Sequence, residues 1–204
     1  MFCLLEDNYV VDGPYDWNQR KFRMILQDDH DINFSLPLYN SEVIIINDNL
    51  KLVPAHETIP EYNAKIQQLS GRELAVAEDS VTVTYAVLDK ALETVKGELK
   101  AIVASSRYAF EVGGTSTTID GVTISLSTDR ESRTILAQAL QLGAFDKNWK
   151  FGDVWLVLNQ EQLVHVVTAI ANHVQSAYDW EKSVIDAIDA ANDLQTLDAI
   201  VTVK

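Results

Sequence analysis

Between Asn159 and Ala191, apolar residues fall at Leu163, Val167, Ile170, Val174 and Ala177. They resume at Val184, Ile188 and Ala191, in alternating steps of four and three broken only by Glu181. Such a row marks one face of an α-helix, because steps of three and four return to the same side when a turn takes 3.6 residues. Asn159 can cap its start by accepting an amide of the first turn, and Gln162 stands where a capping box needs its returning side chain. Nearly thirty helical residues extend about 45 Å at 1.5 Å per residue. A rod of that length must lay its apolar stripe along another helix, of the same chain or of a partner. Asn192-Asp193 breaks the row, and Leu194, Leu197 and Ile200 predict a short final turn.

A second stripe runs through Leu88, Leu92, Val95, Leu99, Ile102, Ser106 and Ala109, with Lys90, Glu93, Lys96, Glu98 and Lys100 on other faces. It predicts an amphipathic helix over 88–112, ending at Gly113-Gly114, a glycine pair that reads as a flexible joint. Gly97 weakens this helix by up to about 1 kcal/mol relative to alanine, so it needs a packing partner. Beyond the glycines, Thr115 to Ile119 and Val122 to Leu126 flank Asp120-Gly121, the two-residue type I′ signal in which both central residues take positive φ. Thr128 and Glu131 have the spacing of a capping box, which opens a helix to about Leu142 with Ile135, Leu136, Ala139 and Leu142 inward. Trp149 to Leu158 reads as a short buried strand or as a clamp between helices.

The first half has a different rhythm. Leu4-Leu5 and Tyr9 to Val11 flank Glu6-Asp7-Asn8, and Lys21 to Leu26 alternates polar with apolar. Glu42 to Ile46 and Leu50 to Val53 flank Asn47-Asp48-Asn49, and Glu73 to Ala77 and Val81 to Val87 flank Glu78-Asp79-Ser80. These are strand and hairpin signals. Pro14, Pro37, Pro54 and Pro60 all lie in this half and are expected to punctuate loops. The expected fold class is α+β: a β-rich N-terminal attachment region with hairpins over 1–87, a connecting amphipathic helix over 88–112, and a C-terminal region over 113–204 with one β-hairpin and a long helix.

Sixteen Lys and Arg stand against 30 Asp and Glu, a net charge of −14 and a pI near 4.5. That balance repels phosphate backbones and anionic lipid, so nucleic acid and membrane surfaces are poor partners. Apolar residues make up 47% of the chain and charged residues 23%, proportions that support a globular core rather than a disordered chain. The apolar start Met1 to Leu5 stops at Glu6 and Asp7, too soon and without the basic residues of a secretory leader. No membrane insertion is expected, and synthesis in a cytoplasm is.

Chemistry is sparse. No glycine-rich phosphate loop, Gly-x-Ser-x-Gly elbow or Gly-Lys-Ser/Thr sequence occurs, and the single cysteine, Cys3, lies in an apolar run. His165 and His173 sit about 12 Å apart along one helix, too far to share an ion. Glu161 and His165 have i,i+4 spacing, more typical of a solvated helix surface than of a metal site. Asp29, Asp31 and Asn33 have the spacing that begins a calcium loop but lack its glycine and distal glutamate. Trp17, Trp149, Trp155 and Trp180 fit core filling better than a sugar platform. No catalytic residue, metal or cofactor is expected. The candidate interaction residues are those of the helical seams: Leu88, Leu92, Val95, Leu99 and Ile102, then Leu163, Val167, Ile170, Val174, Ala177, Val184 and Ile188.

Several motifs in the second half occur together: Tyr108-Ala-Phe-Glu111, Gly113-Gly114, Ile119-Asp120-Gly121-Val122, Ser127-Thr128-Asp129-Arg130-Glu131-Ser132, Asn148-Trp149-Lys150, His173-Val174-Gln175 and Ile188-Asp189-Ala190-Ala191. In this combination the region resembles a C-terminal domain of unknown function common in bacteriophage tail-fibre and baseplate-associated proteins. The middle, His56 to Tyr62 with Leu69-Ser70-Gly71 and the strand from Val81 to Tyr85, is also similar to phage tail proteins. The resemblance implies a structural component of the virion tail, such as a small tail fibre, a fibre adaptor or a peripheral baseplate subunit, made in the host cytoplasm and not an enzyme. Its partners would be other tail proteins and its own copies, a homo-oligomer with a trimer favoured. An assembly chaperone and a receptor- or glycan-binding module are the alternatives.

Overall fold

The computed structural model describes residues 1–15, 43–46 and 48–204. Lys21 to Leu26, Pro37, Trp17 and the Asp29-Asp31-Asn33 spacing lie outside the described residues. The chain is α+β and divides into two compact units, Met1–Asp89 and Lys90–Lys204. No described helix is long and apolar enough to cross a membrane.

The first unit is a six-stranded sheet made of β1 (Phe2–Glu6), β2 (Tyr9–Tyr15), β3 (Ile44–Ile45), β4 (Leu50–Glu57), β5 (Gln67–Val76) and β6 (Val81–Asp89), in the order β2-β1-β4-β6-β5 with β3 on β4. The β1–β2 turn is made by Asp7 and Asn8, with φ of 49° and 64°, the type I′ geometry that matches strand twist. Phe2, Cys3, Leu4 and Leu5 are all buried. Successive strand residues point to opposite faces, so both faces of β1 are covered. Burial pushes the Cys3 thiol up to about 11. β4 joins antiparallel β1 and, through Ala55, His56 and Glu57, runs parallel to β6.

Two prolines sit inside strands rather than in loops. Pro14 belongs to β2 and Pro54 to β4, opposite Phe2. Ala55 N donates to Met1 O at 2.8 Å, so the alternation along β4 turns the Pro54 nitrogen away from β1. There β3 pairing has ended at Leu52 and β6 pairing begins at Ala55, so the missing N–H costs no ladder bond.

The second unit comprises α1 (Leu92–Val112), β7 (Thr115–Ile119), β8 (Val122–Leu126), α2 (Arg130–Gln141), β9 (Lys147–Phe151), β10 (Val154–Leu158), α3 (Gln160–Ala190) and α4 (Leu194–Ala199). Asp120 and Gly121 form the expected I′ turn, with φ of 48° and 81°. Asn159 and Gln162 form the complete capping box of α3, and Asp193 caps α4 through the Thr196 amide at 2.7 Å. The buried core gathers Ile119, Ile124, Leu126, Leu136, Leu158, Leu163, Val166 and Ile170.

Five further expectations are corrected. The helix starts at Leu92, not Leu88: pairing of Leu88 with Gln68 and of Asp89 with Gln67 extends β6 through the residues whose spacing looked helical. The cap of α2 is Asp129, not Thr128. Asp129 accepts the Ser132 amide at 2.9 Å, while buried Thr128 accepts the Gly114 amide at 2.9 Å and closes the base of the β7–β8 hairpin. Gly114 is thereby tied down rather than free as a joint. Ile135 and Leu142 are exposed, leaving Leu136 and Ala139 as the buried residues of α2. Trp149 to Leu158 is most of a second hairpin, β9–β10, turning at Gly152-Asp153 with Gly152 at φ 60°.

Candidate functional site

Along α1 the inward positions run Val95, Leu99, Val103, Arg107 and Glu111, in steps of four without exception. Such a row forms a ridge inclined to the helix axis, which packs into the grooves of a neighbouring helix. The neighbour is α3, antiparallel: Lys100 pairs with Asp189 at 2.5 Å, Arg107 with Glu181 at 3.2 Å, and His173 Nε2 hydrogen-bonds the Phe110 carbonyl at 2.8 Å. The His173 ring stacks on Phe110 with centroids 4.4 Å apart. Glu181, the residue that breaks the α3 row, breaks it because an arginine lies opposite.

The ridge therefore changes from apolar to ionic at its C-terminal end. Glu111 is 1% exposed. It accepts from Arg107 of its own helix and from Arg133 Nη2 of α2 at 2.8 Å, while Arg107 also reaches Glu181 of α3 and lies over the Tyr178 ring, 5.0 Å from its centroid. Burial alone would push the Glu111 carboxyl up; hydrogen bonds and charge from Arg133 and Arg107 outweigh it and hold the group below the usual carboxylate range. Two carboxylates and two guanidinium groups thus join three helices in one neutral node. Isolated buried charge is costly, and multiple hydrogen bonds offset that cost here.

Beside the node, α2 and α3 flank an open groove of about 330 Å³. Val167, Ile170, Ala171 and Val174 line one wall, Leu136 and Ala137 the other, and Arg133 and Tyr178 stand at its rim. The polar groups nearby are engaged structurally. Asp129 accepts from the hydroxyls of Ser127 and Ser132 and from the Ser132 amide, which hold its carboxyl far below the usual range. His165 Nε2 lies 2.8 Å from Thr117 Oγ1. Among the described residues no three His, Cys, Asp or Glu side chains gather as a metal site would require.

The seam residues separate into groups. Val95, Leu99, Leu163, Ile170, Ala177 and Ile188 are buried. Leu92, Val167, Val174 and Val184 are half-buried, and Val167 and Val174 open onto the groove. Ile102 is exposed on α1, and Leu88 is exposed on β6. Missing from the sequence reading were Val103, Val166 and the entire node. The four-residue row through Arg107 to Glu111 was the available signal for the node, and Gly152-Asp153 the turn signal for the second hairpin.

A family model described as a domain of unknown function (DUF4376) matches residues 94–202, more than half of the chain. The chain belongs to that family. No curated protein and no solved structure matches it. The DUF4376 match begins in the first turn of α1 and ends beyond α4, so it takes in both C-terminal hairpins, the node and the groove.

Proposed function

We propose that the chain is a structural component of a bacteriophage tail, a small fibre, fibre adaptor or peripheral baseplate subunit, that acts through contacts with other tail proteins. The tail assignment rests on the similarity of the quoted motifs to phage tail proteins. The mode of action rests on one observation: the polar groups of the DUF4376 domain are used to hold its own elements together, while its outward-facing residues include large apolar ones. Glu111, Arg107, Arg133, Asp129 and His173 each hold one element to another or cap a helix. Trp155, Val157, Ile135 and Leu142 are at least half exposed.

Mass spectrometry and gold labelling of purified particles, from the phage whose genome encodes the chain, test this reading. Presence on the tail at a fixed copy number supports it. Presence in lysate but absence from particles replaces it with an assembly chaperone. A receptor- or glycan-binding module has one feature in its favour, the exposed Trp155 ring with Lys150 Nζ 5.8 Å from its centroid.

A further inference from the structure

We propose that the free edge of β10 is a self-association surface, on which two copies of this chain pair their β10 strands antiparallel about a two-fold axis at Leu156. The inference stands independently of the tail assignment. Val154 pairs with Phe151 across a two-residue turn, and Leu156 pairs with Trp149. In that register Val154, Leu156 and Leu158 turn their backbone groups toward β9, and Trp155 and Val157 turn theirs outward. The sheet holding β10 has β9 as its only other strand, so the outer N–H and C=O groups of Trp155 and Val157 have no strand partner among the described residues.

An open strand edge is a template for another strand, and folds usually blunt it with charge, proline or a bulge. The two end strands of the first unit's sheet are blunted in these ways. β5 has a bulge between Leu69 and Arg72 and places Arg72 and Glu73 beside it. β2 contains Asp12 and Pro14 and pairs irregularly with β1. β10 reads Val-Trp-Leu-Val-Leu in regular register, with Trp155 63% and Val157 58% exposed. It carries no charged residue, no proline and no bulge.

The edge is also complementary to itself. Antiparallel pairing about Leu156 sets Trp155 opposite Val157 of the second copy, an aromatic to β-branched pair of the kind that stabilises sheets. It sets Asp153 opposite Asn159 of the second copy, so no like charges meet even though each chain carries −14. The product is a four-stranded sheet, β9-β10 continued by the β10-β9 of the second copy. Its two-fold closes with two chains. Leu156 meets its own copy at a non-hydrogen-bonded position, where Cα atoms approach to about 4.5 Å.

Light scattering of the full chain from low micromolar to near-millimolar concentration is expected to show a reversible dimer of twice 22.8 kDa. Val157→Lys places a charge on the edge and is expected to raise the dimer dissociation constant at least about tenfold, with circular dichroism unchanged. Trp155→Lys combined with Val157→Lys sets lysines opposite each other and should leave monomer throughout. Leu156→Cys is expected to form a disulfide-linked dimer on mild oxidation, while the parent chain, whose Cys3 is buried, does not. A monomer at all concentrations, a trimer, or a dimer that both lysine variants leave intact would overturn the proposal.

Discussion

The two units solve the same problem, the burial of apolar surface, by different means. Residues 1–89 bury consecutive side chains of β1 inside a sheet, and the described core cluster there is wholly apolar. Residues 90–204 place a charged cluster at the end of the α1 ridge, and their connections depend on backbone amides donating to the side chains of Thr128, Asp129 and Asn159 and on the hydrogen bond between His173 and the Phe110 carbonyl. Their charge differs as well: six basic against fifteen acidic residues in the first unit, ten against fifteen in the second. The DUF4376 match lies entirely in the second unit. A strand sandwiched on both faces needs only shape and hydrophobicity from its neighbours, whereas helices meeting through a buried ionic node must meet in one register, because each displaced partner would leave a charge unpaired.

The comparison can be broken most severely at the node. Glu111→Ala is expected to destabilise the second unit by about 3–5 kcal/mol, since it leaves Arg133 without its carboxylate and Arg107 with Glu181 alone, so that the node carries an excess positive charge. Phe2→Ala should cost a similar amount, about 3–5 kcal/mol, through the cavity it leaves. Hydrogen exchange distinguishes the two. Glu111→Ala should deprotect residues 130–141 and 160–190, and Phe2→Ala residues 50–57 and 81–89; coincident deprotection in both variants would show that the units share one cooperative transition. Leu99→Ala, in the apolar part of the same ridge, is expected to cost about 3 kcal/mol by chemical denaturation.

Acid should sharpen the contrast. A carboxyl whose folded pKa lies below its unfolded value contributes stability that is fully present above the unfolded value, near 4.3 for Glu, and is lost as pH falls through the folded one. Glu111 and Asp129 are both shifted down and both lie in the second unit. Hydrogen exchange between pH 5 and pH 2.5 should therefore show α1 to α3 loosening as pH falls below about 4, with Glu111→Gln removing part of that dependence. Asp129→Ala should lower the melting temperature by a few degrees through loss of the α2 cap, and Asp129→Asn by less, because asparagine also caps well. The smallest effect belongs to Leu88→Asp, expected within about 0.5 kcal/mol because that side chain is exposed on a strand. A large loss there would return Leu88 to a buried seam.

How much of this was legible varies from element to element. The long helix α3 was, because a thirty-one-residue helix repeats its apolar period many times and its cap is encoded within four residues. The Asp120-Gly121 hairpin was, because few dipeptides tolerate two positive φ values. Leu88 was misread because it stands four residues before Leu92 and so continues the helical row by spacing alone, while pairing with Gln68 keeps it in the strand. Thr128 was misread as a cap because a threonine hydroxyl can also cap a helix and Glu131 stands three residues on, and proximity to Gly114 allots each its partner.

Local chemistry of this kind, caps, turns and helical period, acts over a few residues and can be read along the chain. Arg133 lies twenty-two residues from Glu111, and Glu181 seventy-four from Arg107. Nothing in the intervening spacing pairs these charges. They meet because the apolar ridge of α1 packs against α3, and that packing carries Arg107 and Glu111 at its end to where Glu181 of α3 and Arg133 of α2 lie. The unguarded edge of β10 has the same origin: its five residues encode a strand, but whether a neighbour covers that strand depends on where the rest of the unit comes to lie.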